Sequence, residues 1–134
     1  MDRVFLDANV LFSAVYRPDA GLTRLWQIKR IILITSAYTL HEARINLDYE
    51  SRRERLDELM RNVELIDSLQ IASLPIHITL PEKDRPIFQA ALSAKASHLL
   101  TGDIRYFGEW IGKKINNLSM MLPGDYIRLK LSGK

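Results

Sequence analysis

No cysteine occurs among the 134 residues, so the chain can form neither a disulfide framework nor a thiolate zinc site. That absence suits a reducing compartment, and a cytoplasmic location is the expectation. No apolar stretch approaches the roughly 18 residues that a membrane-spanning helix needs, and Asp2 and Asp7 interrupt the apolar start that a signal peptide requires. Internal repeats, low-complexity tracts and linkers are missing too, which at this length points to one domain over residues 1–134. Neither sign of charge dominates: 19 Lys and Arg against 16 Asp and Glu leave a formal net charge of +3. With 47% hydrophobic and 26% charged residues, the composition is that of a folded globular protein rather than a disordered chain.

What is present is unevenly placed. The basic excess gathers at Lys29-Arg30, at Arg52-Arg53-Glu54-Arg55 with Arg61, at Lys113-Lys114, and at Arg128-Leu129-Lys130 with Lys134. Each run alone reads as a solvated face. Together they are able to frame a surface for a polyanion around an acidic centre.

Short apolar runs at 4–6, 31–34, 76–80, 99–101 and 118–122, the first two β-branched or aromatic, predict five strands. Between them, 22–28, 37–49, 52–69, 85–96 and 126–131 read as helical, with a helical hairpin around Tyr49-Glu50-Ser51. Alternation of this kind predicts an α/β fold: a three-layer α/β/α arrangement on a central parallel sheet of about five strands.

Two of the apolar runs stop at an aspartate. Val4-Phe5-Leu6 is followed by Asp7, with Asn9 two residues on, and Leu99-Leu100-Thr101-Gly102 is followed by Asp103. Ligands in open α/β sheets bind beyond the carboxyl ends of the strands, where these acids fall. Glu42 belongs to a helix whose main apolar stripe is Leu40, Ala43 and Leu47; it lies off that stripe, as either a surface residue hydrogen-bonded to Asn46 or a purposeful acid. Asp84 precedes Arg85-Pro86, a good N-cap position that is equally compatible with a ligand role. Two carboxylates about 5 Å apart repel by roughly 3 kcal/mol at an effective dielectric near 20, so four gathered acids call for a cation. Oxygen donors favour Mg²⁺ or Mn²⁺, and His41, His77 and His98 lack a ligand spacing.

In order and spacing, Phe5-Leu6-Asp7-Ala8-Asn9-Val10-Leu11, Leu40-His41-Glu42 through Leu47, Asp84 through Leu92, and Leu99-Leu100-Thr101-Gly102-Asp103 with Phe107 resemble the PIN domain, and the likeness runs through essentially the whole chain. The resemblance implies a metal-dependent ribonuclease, in the manner of VapC toxins, with Asp7, Glu42, Asp84 and Asp103 as catalytic metal ligands and Asn9 and Thr101 as supports. It also implies Mg²⁺ or Mn²⁺ as cofactor, RNA as substrate, pairing as a homodimer, and an antitoxin protein as partner if the chain is a toxin rather than an RNA-processing enzyme. The chain departs from the pattern after Asp103, where Ile104-Arg105-Tyr106-Phe107 fills no further acidic position, so the number of metals stays open. Asp125, in Pro123-Gly124-Asp125, reads as a helix cap. An alternative is a PIN-like RNA-binding or scaffold protein without turnover. A phosphatase using Asp7 as nucleophile is the other, although its D-x-D-x-T pattern is not matched.

Overall fold

A computed structural model describes residues 1–17, 21–66, 85–102, 112–115 and 117–132. Strand β1 (Asp2–Leu6) leads into helix α1 (Ala8–Tyr16) and a 3-10 turn at Leu22–Gln27. Then follow β2 (Ile31–Ser36), α2 (Ala37–Ile45), α3 (Glu50–Met60) and β3 (Val63–Ile66). The remaining elements are α4 (Arg85–Ser93), β4 (His98–Leu100), β5 (Lys114–Ile115), β6 (Leu118–Met121) and α5 (Pro123–Ser132). The sheet runs β3-β2-β1-β4-β6-β5. Its first five strands in that order are parallel, and β5 closes one edge antiparallel to β6.

The apolar runs are continuous because both faces of the sheet are covered. Val4, Leu6, Leu33 and Leu100 face α1, α2, α3 and α5, meeting Val10, Leu11, Ala43, Leu56 and Tyr126. Phe5, Ile34, Leu99 and Met120 face the other way, onto Ile87, Phe88, Ala90 and Ala91 of α4. This is the expected three-layer α/β/α arrangement, with one strand of opposite sense added at the edge.

Several boundaries differ from expectation. Residues 8–16 carried no expected element, yet α1 forms there: β-branched and aromatic Val10, Phe12, Val15 and Tyr16 blur a 3.6-residue period, and burial of Val10, Leu11, Ala14 and Val15 decides the matter. The helix expected over 52–69 stops at Met60, because Val63 to Ile66 pair in register with Leu33 to Ser36. Strand β5 is too short to leave a period. The strand expected at 76–80, with His77, lies outside the described residues, as do Asp84 and Asp103. The helical hairpin holds, with α2 and α3 separated by residues 46–49.

Side chains join the layers at both flanks. The Arg3 guanidinium donates to the Ala94 carbonyl at 3.0 Å and to Glu64 at 3.1 Å, tying β1 to β3 and to the end of α4. On the helical flank Arg52 lies 4.1 Å from the Tyr16 ring centre and 4.8 Å from that of Tyr49, while Phe12 stacks on Tyr16 at 5.2 Å. Arg52 also donates to Asp48 at 2.7 Å, and Arg53 pairs with Glu50 at 3.9 Å. Arg52 and Arg53, in the basic run of α3, are therefore answered by their own neighbours, as a solvated face would be. Among the described residues three non-glycines have left-handed backbones, Arg30 (φ 63), Lys95 (φ 56) and Asn117 (φ 69), a conformation costing roughly 1 kcal/mol in all but glycine and, less so, asparagine.

At the amino end of the sheet, Asp2 accepts from Lys130 at 2.7 Å and Tyr126 at 2.8 Å, binding β1 to α5. Burial pushes the Asp2 carboxyl up, but these donors and nearby His98 outweigh it, so its pKa lies below the ordinary 3.8. Tyr126 is raised well above its usual value by burial first and then by Asp2. His98, edge-on to Tyr126 at 4.9 Å, is lowered from 6.5, chiefly by burial and against the pull of Asp2. The unfolded chain thus binds a proton at His98 before the folded one does, and stability must fall as pH drops below 6.5. Urea denaturation midpoints should decline between pH 7.5 and pH 5.5, an interval chosen to bracket that value, and His98→Gln should flatten the decline. An unchanged slope in the variant would show that His98 is not its source. Asp2 acts lower: its contribution is present above 3.8 and lost as pH falls through the folded value, so Asp2→Asn should lower stability across the neutral range, remove that loss from the strongly acid limb, and steepen the decline near 6.5 by taking away the charge that holds His98 up.

Candidate active site

The chain starts in the middle of its sheet. From β1 it moves outward through β2 and β3, then returns to the other side of β1 with β4. The carboxyl ends of β1 and β4 are therefore a topological switch point, where connections diverge and leave a crevice. Asp7 follows β1 and Thr101 follows β4 at that edge, and the Asp7 N–H donates to the Leu100 carbonyl at 3.1 Å.

Asp7 is 3% exposed, and a carboxylate so buried needs donors. It caps α1, with Oδ1 accepting from the Ala8 N–H at 2.7 Å, where the helix dipole also favours negative charge. Oδ2 accepts from the Thr101 hydroxyl at 2.7 Å and from the Asn9 amide at 3.3 Å. Asn9 does more: its Nδ2 also reaches Thr101 Oγ1 at 3.3 Å, and its Oδ1 accepts from the Gly102 N–H at 2.9 Å. One side chain from α1 thereby fastens the turn after β4. Gly102 has an ordinary backbone, and a Cβ built there meets only Asn9 Oδ1, at 3.6 Å. It is the Gly102 N–H rather than glycine's freedom that the turn uses.

Of the other expected site residues, Glu42 is half-buried on α2. The Asn46 amide does bond to it, but the acceptor is the Glu42 carbonyl, at 2.9 Å, and not the side chain. Tyr38 is half-buried and Ile45, on the same line of α2 as Glu42, is exposed; Tyr49, also exposed, lies beyond the end of that helix. Asp84 directly precedes α4 in the chain and Asp103 directly follows Gly102; both lie outside the described residues. The structure thus brings Asp7, Asn9 and Thr101 together, and among the described residues no group of three or more His, Cys, Asp or Glu forms. His41 is exposed on α2 and His98 sits at the amino end of β4, away from Asp7. Asp125 lies in the first turn of α5, paired with Arg128, inside the helix rather than capping it.

One contributor escaped sequence reasoning. Ser36 ends β2 and caps α2, accepting from the Thr39 N–H at 3.1 Å and sharing a 2.8 Å bond with its hydroxyl, and so sets the start of the helix that carries Glu42. Next to it, buried Thr35 donates to the Leu6 carbonyl at 3.0 Å, bracing β2 against the residue before Asp7. The signal was available as a serine directly before the helical run at 37. The donors at this edge are carboxylate, hydroxyl and amide oxygens, with no soft ligand among them. That chemistry fits a hard divalent cation such as Mg²⁺ or Mn²⁺.

A family model of the PIN domain matches residues 3–105. No curated protein matches the chain by sequence. Among solved structures, VapBC2 from Rickettsia felis, bound to a DNA fragment of its promoter, is similar with a TM-score of 0.67 and 18% identity over 90% of this chain and 98% of that one. VapBC-1 from nontypeable Haemophilus influenzae gives a TM-score of 0.60 and 17% identity over 91% and 98%. VapC20 of Mycobacterium tuberculosis, a sarcin-ricin loop cleaving toxin, gives 0.55 and 15% over 76% and 92%. At such identities the likeness is one of fold.

Thr101→Val keeps the volume of the side chain but removes the hydroxyl that Asp7 Oδ2 accepts from, at a cost of about 1–3 kcal/mol in denaturant unfolding. Thr101→Ser should retain most of it. Gly102→Ala should be tolerated, and Gly102→Pro, which lacks the N–H, should not. Equal stability of the valine and serine variants would mean that the hydroxyl contributes nothing to holding Asp7.

Proposed function

The chain belongs to the PIN domain family, and from that premise we propose that it is a metal-dependent endoribonuclease hydrolysing RNA phosphodiester bonds, acting as the toxin of a toxin–antitoxin pair. The observation that carries this reading is Asp7: a buried carboxylate at the switch point of the sheet, held in one orientation by Asn9, Thr101 and the start of α1. Preorganisation of that kind is costly for a mere cap and useful for a ligand.

In this reading Asp7, Glu42, Asp84 and Asp103 hold Mg²⁺ or Mn²⁺. The cation, when bound, supplies Lewis acidity toward the scissile phosphate and the attacking water. The protein supplies the rest. Thr101 and Asn9 keep the Asp7 carboxylate from rotating, and Asn9, through Gly102, ties the turn that leads into Asp103 to the same frame. An acid not fully engaged by the cation, Glu42 or Asp84, would take a proton from the water that attacks phosphorus in line, with no covalent enzyme intermediate. Asn9 argues against the phosphatase alternative: its amide stands where aspartyl-phosphate chemistry needs a second carboxylate.

The fold neighbours that are VapBC complexes support an antitoxin protein as partner. Homodimer formation and a cytoplasmic location belong to the same proposal. No helix among the described residues is long and apolar enough to cross a membrane.

Asp7→Asn and Asp103→Asn should each lower Mn²⁺-dependent RNA cleavage by roughly 100-fold or more. Both should stay folded by circular dichroism, asparagine at 7 keeping an acceptor for the Ala8 N–H. Chelation should abolish wild-type cleavage and added Mn²⁺ restore it. Wild-type turnover in both variants would remove the proposed site, and RNA binding without any cleavage by the wild type would favour the scaffold reading.

A further inference from the structure

The end of the sheet opposite Asp7 has its own character. The turns that enter the strands there carry Arg61 before β3, Lys29 and Arg30 before β2, and Lys95 before β4, while Lys114 stands beside the start of β6. All five are exposed. Among the described residues none of the five pairs with a carboxylate, although Arg3, Arg44, Arg52, Arg53, Arg128 and Lys130 all do. Asp2 and Glu64, the carboxylates of β1 and β3, are engaged by Lys130 and Arg3. With neighbouring strands about 4.8 Å apart, the cations extend across a front of roughly 24 Å.

A second observation is independent of charge. Arg30 and Lys95 hold left-handed backbones, at φ 63 and 56, in the turns flanking β1 on either side. Glycine or asparagine would suit those positions better, as Asn117 illustrates in the β5–β6 turn at φ 69. The chain instead places a long, exposed, unpaired cation at each. At 95 the left-handed residue ends α4, with the Lys95 N–H bonded to the Leu92 carbonyl and the Ala96 N–H to the Ala91 carbonyl, both at 3.0 Å, so the backbone serves the fold while the side chains of Arg30 and Lys95 stand exposed without a carboxylate partner among the described residues.

We propose that this amino-terminal edge of the sheet is a phosphate-backbone docking surface for structured RNA, with Arg30 and Lys95 as its centre. It rests on the ribonuclease reading for its choice of polyanion. The acidic edge and the basic edge stand about 17 Å apart along the five-residue β1, so a folded RNA engaged at both lies along the flank of the sheet. Docking here favours substrates long enough to reach both edges, and it keeps the phosphates that provide affinity away from the acids, which would repel them without a cation.

The test uses the full chain and a labelled RNA stem-loop in EDTA, so that binding is read without cleavage. For Arg30→Gly/Lys95→Gly, the dependence of log K on log salt should flatten by about 2 units, one per lost phosphate contact, and affinity at low salt should fall about tenfold. The melting temperature should stay equal or rise, since glycine relieves both turns. A charge-matched control, Arg44→Gln/Arg53→Gln, should leave the slope in place. In Mn²⁺, cleavage of an oligoribonucleotide too short to span both edges should be the same in wild type and the glycine variant. An unchanged slope, a lowered melting temperature, or loss of binding to anionic phospholipid vesicles with RNA binding intact would overturn the proposal. Failure of the wild type to cleave any RNA, with the difference in slope preserved, would overturn the ribonuclease reading and leave the docking surface standing.

Discussion

A carboxylate buried at the end of a central strand must find donors, and that requirement at Asp7 organises the acidic edge of this molecule. Its partners come from three places: the first N–H of α1, the amide of Asn9 in the first turn of that helix, and the hydroxyl of Thr101 beyond β4. The first two are local to Asp7, but Thr101 reaches it only when β1 and β4 lie side by side in parallel, so the pairing of Phe5 with Leu99 and Leu6 with Leu100 is a precondition of the site. The dependence runs both ways. A slip of the register by one residue would reverse the faces of Leu99 and Leu100 and also separate Thr101 from Asp7, exposing an unsatisfied buried charge to the low dielectric of the core.

That arrangement explains which parts of the site were legible. An apolar run ending in aspartate is a strong local signal, and Asn9 two residues later and Thr101 two before Asp103 could be read as companions. Their mutual bonding could not, because a Thr-to-Asp contact spanning 94 positions leaves no local trace. The role of Ser36 was legible in principle as a cap, but its importance comes from α2 standing beside the switch point, a fact of topology. Glu42 shows the limit of periodicity: an angle of about 100° per residue separates it from the apolar stripe without saying what it meets. What Asp84 and Asp103 contribute is still carried by the order of motifs.

The fold was legible where strands were long and buried on both faces, and not where pairing overrode local preference. Residues 63–66 follow a charged helix without a glycine or proline to stop it, so Val63-Glu64-Leu65-Ile66 extends the helical pattern until one knows that β2 offers an open edge. Helix α1 is the opposite case. Its residues favour strand by intrinsic preference, and it is helical because the Asp7 cap starts it and Val10, Leu11, Ala14 and Val15 are buried along one side. In both, the tertiary surface beside the segment made the choice.

Charge is the feature that the linear sequence concealed most. A net +3 with four basic clusters suggested a rim around an acidic centre, yet Arg52 and Arg53 of α3 are answered by Asp48 and Glu50. Lys29 and Arg30 stand at the far end of the sheet from Asp7. Because β1, β2, β3, β4 and β6 are parallel, their entry turns fall on one edge and their exits on the other, so cations placed in those entry turns and acids placed at the exits are sorted to opposite ends. Parallel topology thereby converts a modest and scattered imbalance into a polar molecule. The left-handed turns at Arg30 and Lys95 follow from the same geometry: each connection from a helix must reverse sharply to enter its strand. Such a turn accepts a large side chain only if that side chain points away into solvent, where a cation is free to act.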